Sequence, residues 1–106
     1  MAQAKPKLVF MFWVPNADPK KHRASISIDS IELIVVGVKD YDQAVEVSKE
    51  LVKEGVMVIE LCAAFGHIGV ARIVEAVKGV PVGVVRFDMH PAFGGKTGDQ
   101  ILKLTP

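Results

Sequence analysis

Glu54-Gly55-Val56-Met57-Val58-Ile59-Glu60-Leu61-Cys62-Ala63-Ala64-Phe65-Gly66-His67-Ile68-Gly69 holds the transition that decides the fold. Residues 56–61 are rich in Val and Ile and nearly continuous in their apolar character. A strand covered on both faces needs that pattern, and such strands belong mostly to parallel sheets. Gly55 supplies the left-handed residue that ends a preceding helix. The small residues after Leu61 lead into a second helix. Helix end, strand, tight turn and helix start follow without a break, as in a βαβ unit.

Working outward, a first helix is predicted over 41–54. Asp40 is its N-cap, and Gln43 stands three residues on, as in a capping box. Ala44, Val45, Ser48, Leu51 and Val52 form its inward stripe at spacings of three and four. A second helix is predicted from His67 or Ile68 to Lys78, with Val70, Ile73, Val74 and Val77 inward. Gly79 ends it and Pro81 prevents its continuation. Three further apolar runs, 8–14, 31–38 and 80–87, complete the set of strands. Ser25-Ile26-Ser27-Ile28 alternates with period two and reads as a short edge strand, hairpinned through Asp29 and Ser30. Asp18-Pro19 reads as an N-cap and first helical residue, which predicts a helical turn over 20–24. The tail from 89 onward is Gly-rich and reads as a loop over the sheet, with 101–104 as a short final element. The fold class is therefore α/β: a small, mostly parallel sheet of four or five strands, built from consecutive βαβ units with helices mainly on one face.

Composition bounds the rest. The chain has 106 residues, of which 50% are hydrophobic and 24% charged, so it reads as one packed domain, 1–106. Thirteen basic residues against twelve acidic ones leave a net charge of +1, which gives no reason to expect nucleic acid or an anionic membrane as partner. The one cysteine, Cys62, has no partner for an internal disulfide, and Met1 to Pro6 lacks the apolar core of a leader peptide. These features predict a cytoplasmic setting.

Ligands of open parallel sheets bind outside the carboxyl ends of the strands. The turn Cys62 to Gly69 lies there, and its glycines let backbone N–H groups approach an anion at a helix N-terminus. A tight connection that needs small residues for packing is the structural alternative. The second turn runs Arg86-Phe87-Asp88-Met89-His90-Pro91-Ala92-Phe93-Gly94-Gly95-Lys96-Thr97-Gly98. Gly95-Lys96-Thr97 is similar to the end of a phosphate-binding loop, but His90 stands where its first glycine belongs. Gly98 also interrupts the helix that must follow, so the segment reads as a glycine lid bearing Lys96. Gly66, His67, Arg86, Asp88, His90 and Lys96 are the expected ligand-binding residues. Glu60, His67, His90 and Cys62 are the candidates for catalysis. Cys62, His67, Asp88 and His90 could converge as a metal or acid–base cluster. With no i, i+4 pair and one cysteine, no metal is expected, and no cofactor.

The stretches Lys7-Leu8-Val9-Phe10, Asp18-Pro19-Lys20-Lys21-His22-Arg23 and Val35-Val36-Gly37-Val38 resemble a family of small bacterial and archaeal proteins of unknown function. Glu60-Leu61-Cys62 through Phe65-Gly66, and Val82-Gly83-Val84-Val85, fit the same pattern. The resemblance covers most of the chain and transfers no catalytic roles.

Three functions remain. The first is binding of a small anionic metabolite at the carboxyl edge. The second is a small-molecule lyase or isomerase using His or Glu acid–base chemistry, with Arg86 holding a carboxylate or phosphate. The third is a structural assembly. A homo-oligomer is expected: if strands 31–38, 56–61 and 80–87 lie in sequential order, right-handed crossovers leave one apolar sheet face without helices. Alternation places Val56, Val58, Glu60 and Cys62 on that face with Val82, Val84, Arg86 and Asp88. Met57, Ile59 and Leu61 then face the helices with Gly83, Val85 and Phe87. Glu60 and Arg86 are expected to pair, and Arg86, the turn at Gly66 and Lys96 to hold the anion.

Overall fold

The computed structural model describes residues 5–106, so most of the opening stretch read for a leader lies outside the described residues. Five strands form one sheet: β1 (Lys7–Trp13), β2 (Arg23–Ser27), β3 (Glu32–Val38), β4 (Val56–Leu61) and β5 (Val82–Val84). Their order is β2-β3-β1-β4-β5, with β2 antiparallel to β3 and every other pair parallel. The helices are α1 (Tyr41–Lys53), α2 (His67–Ala76) and the short α3 (Gly98–Ile101). The strands at 31–38, 56–61 and 80–87 follow one another across the sheet, with β1 inserted between β3 and β4.

Both crossovers run in the same direction across the sheet, β3 through α1 to β4 and β4 through α2 to β5. Right-handed connections of that kind place both helices on one face. α1 packs against β1, β3 and β4 and against α2, and α2 packs against β5. The core lies beneath them. Val9, Met11 and Trp13 of β1, Val36 and Val38 of β3, and Ile59 and Leu61 of β4 are buried against Tyr41, Ala44 and Leu51 of α1 and Ile73 of α2.

Local signals account for most boundaries. Asp40 Oδ1 accepts from Gln43 N at 2.8 Å, and Gln43 Oε1 accepts from Lys39 N at 2.9 Å, which fixes the start of α1. Gly55, at φ 99°, ends it. The β2–β3 hairpin turns at Asp29 and Ser30, with Ile28 and Ile31 exchanging backbone hydrogen bonds.

Several boundaries and faces differ from expectation, among them the end of α2 at Ala76 instead of Lys78. Residues 19–21 form a turn, not a helix, because Asp18 binds the N–H groups of Lys20, Lys21 and His22 and the chain then enters β2. Val74 is 48% exposed, and Gly69 takes its place on the inward side of α2. The run 80–87 yields a strand of only three residues. The final element starts at Gly98, where Thr97 and Gln100 form a capping box.

A register shift between Lys7 and Leu8 decides the faces of β4. Lys7 pairs with Val56 but Leu8 pairs with Val58, so Met57 is an extra, bulged residue. Val56, Ile59 and Leu61 then join the helix-side core, while Val58 and Glu60 lie on the open face with Leu8 and Phe10.

Candidate functional site

At the carboxyl edge, the turn after β4 and the lid 85–102 enclose two cavities. The first follows from how α2 begins. Its N-cap is Gly66, which has no side chain to satisfy the first-turn N–H groups. Asp99 does so from the far end of the lid. Its Oδ2 accepts from Ile68 N at 3.1 Å, and its Oδ1 accepts from Gly69 N at 3.4 Å and from the Tyr41 hydroxyl at 2.8 Å. The Tyr41 oxygen in turn accepts from Gly66 N at 2.9 Å. Asp99 is only 4% exposed, yet no buried side-chain N or O among the described residues lacks a partner. Burial of Tyr41, reinforced by the Asp99 carboxylate and opposed by the Gly66 N–H, holds the phenol well above its ordinary range.

The glycines of the turn are explained by this latch. A Cβ on Gly66 would stand 2.5 Å from Asp99 Cγ, and one on Gly69 would stand 2.5 Å from the Tyr41 ring. They permit close approach of the chain's own carboxylate and phenol. The expected anion site at the helix N-terminus is therefore already filled from within. What remains beside it is a cavity of about 90 Å³ touched by Gly66, His67, Arg86, Asp88 and Thr97.

The expected Glu60–Arg86 pair does not form. Glu60 lies opposite Gly83 on the open face, whereas Val82 and Val84 pair with Ile59 and Leu61 on the helix side. The face assignment for β5 is thus inverted. The strand ends at Val84, and Arg86 instead pairs with Asp88, Nε to Oδ1, at 3.0 Å. Two opposite charges two residues apart neutralise each other locally.

The second cavity is far larger, about 590 Å³, and mostly apolar. Phe12, Trp13, Cys62, His90, Phe93 and Ile101 are among the residues that line it. Trp13, itself 1% exposed, forms its floor, and its Nε1 donates to the Ala64 carbonyl at 2.6 Å. Phe93 stacks on the Trp13 ring at 5.1 Å between centroids, and His90 lies 4.7 Å from Phe93. His90 Nδ1 accepts from Ala92 N at 3.1 Å, which leaves Nε2 as the nitrogen that carries the proton in the neutral ring. Cys62 Sγ accepts from Ala64 N at 3.4 Å.

The residues expected to converge are divided between the two cavities. Cys62 and His90 line the large one, His67 and Asp88 the small one, and Glu60 neither. Among the described residues no group of three or more His, Cys, Asp and Glu side chains is placed to hold a metal ion. Lys96 is joined to His90 across the lid, where His90 N donates to Lys96 O at 3.1 Å. Asp99, Tyr41 and Thr97 were not singled out from the sequence. The Thr97-x-x-Gln100 spacing was the available signal for the helix that carries Asp99.

A mixed α/β domain with a five-stranded, mostly parallel sheet is the class these features define. Residues 6–100 match the family of unknown function DUF6506, and the chain belongs to that family. No curated protein and no solved structure matches it. Among the described residues no helix is long and apolar enough to cross a membrane.

Proposed function

We propose that the chain binds a small anionic molecule with a flat, apolar body in the large cavity under the lid. The observation that carries this reading is the cavity itself, walled on one side by the stacked rings of Trp13 and Phe93, with His90 as its one nitrogen base. Binding sites for small molecules are mostly apolar with a few placed polar groups, and this cavity has that make-up. Lys96, bridged through its backbone to the lining residue His90, supports an acidic group of the ligand lying near that end of the lid. The lone thiol Cys62 is consistent with a cytoplasmic setting.

A second reading, a lyase or isomerase, is favoured by Cys62 and His90 lining one cavity. It would rest on those two residues. Glu60 and His67 lie elsewhere.

Trp13 is the sole tryptophan, so its fluorescence reports on the cavity directly. Titration with small aromatic and branched-chain carboxylates, beside their neutral amides, is expected to quench or shift that emission and raise the melting temperature. Lys96→Ala should weaken the acids more than the amides. No spectral change and no stabilisation at millimolar concentration would overturn the binding reading. Turnover of a bound acid that is lost in both His90→Ala and Cys62→Ser would favour the enzyme.

A further inference from the structure

We propose that the open face of the sheet is a two-fold interface filled by a second copy of this chain. Three side-chain rows cross that face. One is Ile26-Leu33-Leu8-Val58, the next is Ala24-Val35-Phe10-Glu60, and the third begins with His22, Gly37 and Phe12. Seven of the eight side chains in the first two rows are apolar. Four strands about 4.8 Å apart and three rows about 7 Å apart cover roughly 19 by 20 Å in projection. Stable dimers bury about 800 Å² per partner, so the interface extends past these rows onto the flanking edge and loops.

The edge strand shows which side the sequence treats as interior. Every residue of β2 is exposed. With water on both sides, such a strand has no reason to sort its side chains. Yet Arg23, Ser25 and Ser27 fall on the helix side, and Ala24 and Ile26 fall on the open side, with Ile26 57% exposed. This is a half-buried alternation whose apolar half points away from the molecule's own core.

The charges suit a copy of the same face. Glu60 is the carboxylate within these rows and lies on β4, whereas Lys20, Lys21 and His22 lead into β2. A two-fold axis along the strands, between β3 and β1, exchanges β4 with β2. It sets Glu60 above the partner's β2 at the level of Ala24, one row from His22. His22 Nδ1 accepts from Asp18 N at 2.8 Å, leaving Nε2 to donate outward. An axis across the strands through the same row would instead stack Glu60 on its own copy, which like charges disfavour.

The test is the mass in solution and a designed crosslink. Wild-type protein at about 10 µM, a concentration that populates dimers of micromolar affinity, should sediment at twice 11.5 kDa. Ile26→Lys, on an exposed edge where the monomer fold does not need it, should raise the dissociation constant by about tenfold or more by placing a charge in the interface. Phe10→Glu, at the centre, should give monomer, with circular dichroism reporting whether it folds. In a Cys62→Ser background, Ala24→Cys with Glu60→Cys should oxidise to a linked dimer. Within one chain these positions lie three strands apart, about 14 Å, beyond the ~7 Å that a disulfide spans. A wild-type monomer at about 100 µM overturns the proposal, since any dimer worth the name forms well below that. So does a dimer that tolerates Ile26→Lys and forms no crosslink.

Discussion

The turn Cys62 to His67 forms a wall of both cavities at the carboxyl edge, yet the two are made of opposite materials. On one side, Asp99 and Tyr41 take up the N–H groups of Gly66, Ile68 and Gly69, and Arg86 is matched by Asp88. Polar capacity there is spent on the protein's own groups, and little volume remains. On the other side, aromatic and aliphatic walls leave a hollow that no side chain of the lid fills. A buried polar network holds a structure together because each unmet partner is costly. An apolar hollow imposes no such demand and stays free for a guest. The latch positions the lid, and the hollow is what the lid covers.

The largest expected effect tests the latch. Asp99→Ala strands the Tyr41 hydroxyl and two helix N–H groups in a buried site, and should cost about 3–5 kcal/mol in denaturant unfolding. Acetate added to this variant should recover part of that loss and leave the wild type unaffected, since only the variant has an empty anion niche. A silent Asp99→Ala would break the contrast. Next, Gly98→Ala drives a methyl group into the Ala64 carbonyl oxygen and should cost about 1–3 kcal/mol, whereas Ala92→Gly, on the cavity's exposed wall, should cost less than about 1 kcal/mol.

Tyr41→Phe removes one donor and one acceptor and should cost about 1–2 kcal/mol at pH 7. Its pH signature is separable. The folded protein holds the phenol above its ordinary value of 10.0, so the unfolded chain loses that proton first as pH rises. Stability from this group is complete below that value and declines above it. Tyr41→Phe should flatten that alkaline decline, read as the melting temperature against pH. The smallest effect belongs to Arg86→Ala, whose exposed ion pair with Asp88 is worth less than about 1 kcal/mol. If that variant instead abolishes carboxylate binding, the ligand's acidic group lies on the polar side and the proposed division of roles is wrong.

Much of this architecture was legible because it rests on local signals. Asp40 and Gln43 marked α1, Asp29 and Ser30 marked the β2–β3 hairpin, and the Val and Ile runs marked the parallel strands, although one face of them is open. The faces of β5 were misread for a physical reason. Alternation gives the two sets of side chains but not the register between strands: Val82 pairs with Ile59 rather than standing beside Glu60, and the strand stops at Val84, which leaves Arg86 outside the ladder. The place of β1 was likewise hidden, since it carries no local sign of which strands flank it. Asp99 was the larger omission. Its role depends on meeting α2 across 30 residues of chain, and no spacing rule spans that distance. The glycines were seen, and their cause was the other one: they admit Tyr41 and Asp99.

The central place of β1 has a further consequence for how copies of the chain can exchange parts. β1 precedes the other strands in sequence but lies third across the sheet, and both of its neighbours come from later in the chain. With β1 withdrawn, β3 and β4 face each other across a gap of two strand spacings, about 9.6 Å, each with an unpaired parallel edge. A slot of that width matches one strand, and residues 14–22 are the connection on which the segment Lys7–Trp13 would swing. Shortening or stiffening that hinge would favour reciprocal strand swapping over self-insertion, whereas lengthening it would favour the closed single chain.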